Sequence, residues 1–302
     1  MGSNVRGVDK VGINLHPSFF WRYTLRFGRH IKTLAMLSPA ILLEVGLFFV
    51  PLVMLITISF TEKSSFFFTP VYTLINYLDI VDFYGFDFQN TLTLVSAAAF
   101  VDLIFGYPFA YIMIRKIRRF ADLFRSIMLI PLFGELYIAY GLWFVFLPGG
   151  PLSFIFDFLN IPISKALYSA PSAIFGLAIY TFPFVVYNVG ISLQEIEPSF
   201  EEAARCLGAG PLGTFFRITL PLSFPGILSG WLMSFGWNLG AYAIPQIMGG
   251  VVTGQRIISV KVYSTGLVTM NFGLSAALGV VLVVISMIIF YISLKATKGV
   301  LV

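Results

Sequence analysis

Three carboxylates sit inside long apolar runs of this sequence: Glu44, Asp102 and Glu135. An acid surrounded by hydrocarbon is costly, so each marks either a bond between neighbouring helices or a polar path through them. Glu135 follows a break at Pro131 and Gly134, and the aromatic residues Tyr137, Tyr140, Trp143, Trp231, Trp237 and Tyr242 occur in its run and in a later one. Aromatic faces beside a carboxylate attract organic ammonium groups through cation–π contact. Glu135, Tyr137, Tyr140, Trp143, Trp237, Asn238 and Tyr242 are accordingly candidate pathway residues for a cationic solute. The competing reading gives the tyrosines and tryptophans to interfacial belts, pairs the acids with adjacent helices, and lets Asn238 and Gln246 hydrogen-bond across helices.

A different chemistry, recognition of another protein, is written between Glu195 and Pro221. This polar stretch carries start and stop signals for two short helices. Ser199 with Glu202 three residues on has the pattern of a capping box, and Pro198 keeps the chain before it extended. The first helix is expected over Phe200 to Leu207. Gly208 stands where a left-handed C-cap residue is wanted, and Gly210 followed by Pro211 begins a second helix reaching Arg217. The product is a bent elbow on which Glu201, Glu202, Arg205 and Arg217 alternate with Phe200, Leu207, Phe215 and Phe216. It offers both an apolar docking side and charged contacts.

The elements that must hold these residues are membrane spans. Hydrophobic residues make up 58% of the 302 and charged residues only 11%, a balance that excludes an ordinary soluble domain. Apolar segments able to cross about 30 Å of hydrocarbon run from Leu34 to Phe60, Leu92 to Ile114, Ile127 to Leu147, Ala173 to Leu193, Leu222 to Met248 and Leu274 to Leu294. The fold class is thus all-α, a polytopic membrane protein with six transmembrane helices. Six crossings put both ends on one side. The loops outside that side hold only Lys63, Lys165, Arg256 and Lys261 of the 19 lysines and arginines, so the positive-inside rule places both termini and the 195–221 loop in the cytoplasm.

Residues 1–33 read as a basic cytoplasmic segment with an interfacial helix, and 34–302 as the six-helix domain. The first strong apolar run follows Arg22, Arg26, Arg29 and Lys32 and reads as a retained anchor. Pro51, Pro108, Pro131, Pro183, Pro225 and Pro245 fall inside spans, which suits broken helices or the ordinary tolerance of membrane helices for proline. Cys206 is the only cysteine, so a disulfide scaffold and a cysteine metal cluster are both excluded. The two histidines, His16 and His30, lie in the basic stretch before the first span, and no metal site is expected.

Glu202-Ala203-Ala204, three residues, Gly208, nine residues, Ile218, one residue and Leu220-Pro221 together resemble the EAA loop of type I ABC importer permeases. The resemblance extends from Pro131 through the last span, with Pro225-Gly226 and Met248-Gly249-Gly250 included, and is closest to the spermidine/putrescine permease group. It implies the MetI-like permease fold and a coupling helix inserted into a cleft of a cytoplasmic ATPase. The implied coupling set is Glu201, Glu202, Ala203, Ala204, Arg205, Gly208 and Pro221. It further implies a second permease subunit, two copies of the ATPase, an extracytoplasmic solute-binding protein, surrounding membrane lipid, no nucleic acid, and a bacterial or archaeal plasma membrane.

The sequence has no glycine-rich phosphate loop ending in Gly-Lys-Ser or Gly-Lys-Thr, so ATP and Mg belong on the partner ATPase and this chain is not itself an enzyme. The resemblance puts putrescine or spermidine first among cargoes, ahead of opines and other amino compounds, ferric iron, phosphonate and sulfate. An ion-driven secondary transporter is the rival class, but it leaves the elbow without a purpose. An intramembrane enzyme needs facing aspartates, or a serine with histidine or lysine, and no such cluster is written here.

Overall fold

The computed structural model describes residues 18–62, 71–117, 126–128, 130–158, 162, 167–250 and 257–300. The chain divides into two units, Met1–Met54 and Leu55–Val302.

The first unit is described from Ser18 and is helical from there. Its helix α1 spans Ser18–Ser59, the last residues of which belong to the second unit. The helix passes the expected boundary at residue 33 without interruption and carries Pro39 and Pro51 in its interior. Helices in apolar surroundings accommodate such prolines by local adjustment of the freed carbonyls. Leu42, Leu43 and Glu44 are exposed. Residues 1–17 of the expected basic segment, including His16, lie outside the described residues.

The second unit is built from helices α2 (Ile75–Phe83), α3 (Gly85–Arg115), α4 (Glu135–Phe146), α5 (Ser153–Phe158), α6 (Ala170–Glu195) and α7 (Pro198–Cys206). It continues through α8 (Pro211–Leu222), α9 (Phe224–Gly240), α10 (Ile258–Tyr263) and α11 (Phe272–Val300). Among the described residues the only β pairing is an isolated bridge between Thr61 and Tyr72.

Among the described residues, four helical stretches are long and apolar enough to cross a membrane: Leu37–Ser59, Gly85–Arg115, Ala170–Glu195 and Phe272–Ser293. They coincide with the first, second, fourth and sixth expected spans. The fifth is a bent pair, with α8 and α9 meeting at 62°. Helix α9 stops at Gly240, short of the expected Met248. Pro245 cannot donate to the carbonyl four residues earlier, and the chain restarts as a single turn, Ala243–Pro245, followed by a widened π turn, Gln246–Gly250. The third expected span is a 3-10 turn at Ile130–Phe133 followed by the 12 residues of α4. At 1.5 Å per residue α4 is only about 18 Å long. Pro131 and Gly134 interrupt what hydropathy alone reads as one run.

Helices α3, α6 and α9 pack most extensively on one another. Between spans this cohesion comes from close packing and hydrogen bonds, because lipid is as apolar as the side chains. Gly226 and Gly230, one turn apart, bring α9 onto α6: a Cβ at Gly230 would lie 3.1 Å from Val185 Cα, and one at Gly226 would collide with Ser192. Gly106 of α3 also sits against Val185. Tyr107, Ala110 and Ile114 of α3 close a buried cluster with Val186, Val189 and Leu193 of α6.

Candidate functional site

The chain leaves α6 through extended backbone at Ile196 and Glu197. Pro198 then opens α7, because its φ is already helical and its missing N–H is not needed in a first turn. Glu197, not Ser199, is the N-cap, and no side chain caps the helix. The expected capping box is therefore absent; Ser199 lies inside the first turn, and Glu202 is exposed. The other end is as expected. Ala209 N–H donates to the Ala204 carbonyl at 3.0 Å and Gly208 N–H to the Arg205 carbonyl at 2.9 Å, a complete Schellman closure. Gly208 holds φ +88°.

Gly210 caps α8 and Pro211 takes its first position. Within α8 the segment Phe215–Thr219 widens to a π turn in which Leu220 N–H donates to the Phe215 carbonyl. Pro221 has no N–H to offer the Arg217 carbonyl, so the turn before it opens. The elbow leaves Phe200, Leu207, Leu212 and Phe216 exposed, with Leu207 at 89%. Around them Glu202, Ala203, Arg205 and Pro221 are exposed and Ala204 is half-buried.

Glu201 differs from the rest of the expected coupling set. It is 6% exposed and faces its own chain. Its Oε1 lies 3.0 Å from Arg115 Nη2 and accepts a hydrogen bond from Thr219 Oγ1 at 3.1 Å, while Oε2 lies 3.5 Å from Arg205 Nη2. Arg115 Nη2 also donates to the Ile196 carbonyl at 3.3 Å. Glu201 is thus corrected from a surface contact to an internal anchor, because a carboxylate here meets the guanidinium at the end of α3 before it meets solvent.

The seven candidate pathway residues fall into separate settings. Glu135, half-buried at the start of α4, accepts the backbone N–H of Ile244 at 2.8 Å and of Tyr242 at 3.3 Å. Its carboxylate caps the break after α9. Tyr242 stacks on Tyr263, ring centroids 4.8 Å apart. Trp143 donates to the Tyr168 hydroxyl at 3.0 Å, and Trp237 to the Tyr180 hydroxyl at 2.7 Å. Tyr137 and Tyr140 are exposed on α4.

Asn238 is buried with Asp102. Thr181 and Ser234 each donate to Asp102 Oδ2 at 2.7 Å, and Asn238 Nδ2 donates to Thr181 Oγ1 at 2.9 Å. These four side chains bind α3, α6 and α9 to one another. Asn238 therefore bonds across helices, the second of its two expected placements. Glu44, the third membrane acid, is exposed on α1.

The family described as binding-protein-dependent transport system inner membrane component matches residues 26–296. The chain belongs to this family. As a permease of that kind it is 28% identical over 249 residues to the spermidine/putrescine transport system permease protein PotB of Escherichia coli (strain K12), covering 80% of this chain and 90% of that protein. It is 30% identical over 179 residues to the molybdenum transport system permease protein ModB of the same organism, covering 58% and 76%. Its fold is shared with a crystal structure of a bacterial ABC transporter involved in the import of the acidic polysaccharide alginate, at TM-score 0.71 and 19% identity over 92% of this chain and 99% of that one. The permease is accordingly a multi-pass inner-membrane subunit with the MetI-like fold.

Several residues that organise the permease carry no distinctive signal in its sequence. In the sequence Arg115 is only one more basic residue at the end of an apolar run. Thr181, Ser234 and Thr219 were invisible, since single hydroxyls in apolar or amphipathic helices are common and bond to their own backbone as readily as to a neighbour. The available signal was the pairing rule itself: a buried acid such as Asp102 requires donors on adjacent helices.

Proposed function

We propose that this permease is half of the translocation pathway of an ATP-driven importer of polyamines such as putrescine or spermidine. It couples to a separate cytoplasmic ATPase through the α7–α8 elbow. The observation that carries the coupling is the elbow itself: a rigidly closed turn at Gly208 presenting Glu202, Ala203, Phe200 and Leu207 on its exposed side. Small alanines permit close approach of another helix or cleft wall, and the apolar rim excludes water around it. Within this reading the elbow and both termini are cytoplasmic, and two ATPase copies bind ATP and Mg. A second permease chain completes the path, and an extracytoplasmic binding protein delivers the solute.

Likeness to PotB over most of the chain supports the polyamine cargo. A second cargo, a small oxyanion, is favoured by the likeness to ModB and by the engagement of Glu135 with backbone amides, which leaves it less free to neutralise an ammonium group. Purification of the intact assembly from its native membrane tests both. Recovery of an ATPase and a second permease, with turnover raised by a binding protein loaded with putrescine or spermidine, is the expected result. Stimulation by a molybdate- or sulfate-loaded binding protein selects the oxyanion instead, and a chain recovered without an ATPase refutes the importer coupling.

A further inference from the structure

The contacts of Arg115 and Glu201 join two parts of the permease that the chain connects only loosely. Helix α7 hangs from α6 by two residues of extended backbone, Ile196 and Glu197. On its far side, α8 meets α9 across a 62° bend at Ser223. Left to these junctions, a push on the elbow would be absorbed by backbone rotation at each of them. The side chains close that freedom. Arg115, the last residue of α3, bonds at once to the Ile196 carbonyl and to Glu201. Glu201 in turn receives Thr219 from the second arm, so one carboxylate holds α3, α7 and α8 together. Both members of the pair are nearly sealed from solvent, with side-chain exposures of 12% and 8%.

A second set of contacts repeats the linkage. The Tyr107 hydroxyl is hydrogen-bonded to Ser223 Oγ at 2.8 Å, at the bend itself. Phe215 of α8 lies edge-on to Tyr107 and Tyr111 of α3, at 5.7 and 5.6 Å between centroids. Both arms of the elbow are therefore held by the end of α3, which belongs to the tightly packed α3–α6–α9 group.

The geometry points to Arg115 and Glu201 as positioning residues for coupling: their buried pair makes the elbow and α3 move as one body. This inference rests on the proposed coupling of the elbow to an ATPase, but it assigns the pair to force transmission inside the permease and not to the ATPase contact. A buried pair of this kind is specific in geometry: removing Glu201 strands the buried Arg115 charge, and removing Arg115 leaves Glu201 with the exposed Arg205, at 3.5 Å, as its counter-charge.

Two measurements on full-length protein test it. In the detergent-solubilised permease alone, hydrogen exchange of the amides from 198 to 222 is expected to speed up in Arg115→Gln and Glu201→Gln, and to return toward wild type in the charge-swapped double variant Arg115→Glu/Glu201→Arg. Unchanged exchange in both single variants overturns the latch. In the reconstituted importer, solute taken up per ATP hydrolysed is expected to fall about tenfold in the single variants, the size of a typical coupling between sites, and to recover in the swap. Loss of the ATPase from purified Glu201→Gln complexes, with elbow exchange unaltered, overturns the inference in favour of a direct contact. Failure of the wild-type chain to bring down any ATPase refutes the importer reading, while the exchange result still decides the latch.

Discussion

Gly208 holds a left-handed φ of +88° because the Schellman closure of α7 requires it, and a β-carbon there is strained by about 1–2 kcal/mol. Gly208→Val should insert normally yet recover less ATPase on co-purification, whereas Gly208→Asn, which visits the left-handed region readily, should recover more than valine does. Undiminished solute-stimulated ATP turnover in the valine variant would refute this. Glu135 presents a sharper alternative. Gln at this position keeps an oxygen for the Ile244 amide, while Ala leaves two backbone donors unmet and should destabilise the protein by about 1–3 kcal/mol, read as a lower midpoint of thermal unfolding in detergent. If the carboxylate also recognises a polyamine, Glu135→Gln folds but loses uptake about tenfold or more, the worth of one charge-assisted hydrogen bond. Normal uptake by that variant confines Glu135 to holding the break.

Among the elements, the contact of α6 with α9 depends on the absence of side chains at Gly226 and Gly230. Gly230→Leu forces the helices apart against Val185 and should lower stability by about 1–3 kcal/mol. Gly141→Ala, where a methyl group meets nothing within 4 Å, should leave the unfolding midpoint unchanged or higher, and equal midpoints for the two variants would dismiss the packing argument. How much of this was legible in the sequence depends on the range of the cause. Hydropathy located the four continuous spans, and Gly208, Gly210 and Pro211 announced the elbow, because turn chemistry is local. The break at Pro131 and Gly134 was legible, but the apolar run continues through it, so hydropathy reads one full span where α4 has only 12 residues. Glu201 was misplaced for a similar reason: its partner Arg115 is remote in sequence, and no local pattern pairs them. Composition groups the candidate pathway aromatics, yet their rotation about each helix is decided by packing, which leaves Tyr137 exposed and bonds Trp237 to Tyr180.

For the molecule as a whole, orientation in the bilayer is open to direct test. Cys206 is the only cysteine and is exposed on the elbow. A membrane-impermeant maleimide should label it in inside-out vesicles and spare it in right-side-out spheroplasts; the reverse pattern would turn the expected topology over. The polar knot at the centre of α3, α6 and α9 has a bearing on how the chain is made. Asp102 receives its donors from residues 79 and 132 positions further along. At bacterial or slower synthesis rates of roughly 5–20 residues per second, Ser234 is polymerised about 7–26 seconds after Asp102. Until Thr181 and then Ser234 follow, α3 carries into the translocon a carboxylate short of its donors, where an acid at mid-helix opposes insertion by about 2.5–3.5 kcal/mol. A ribosome stalled before Thr181 should therefore hold α3 at the translocon's edge, and its release into lipid should wait for the later helices.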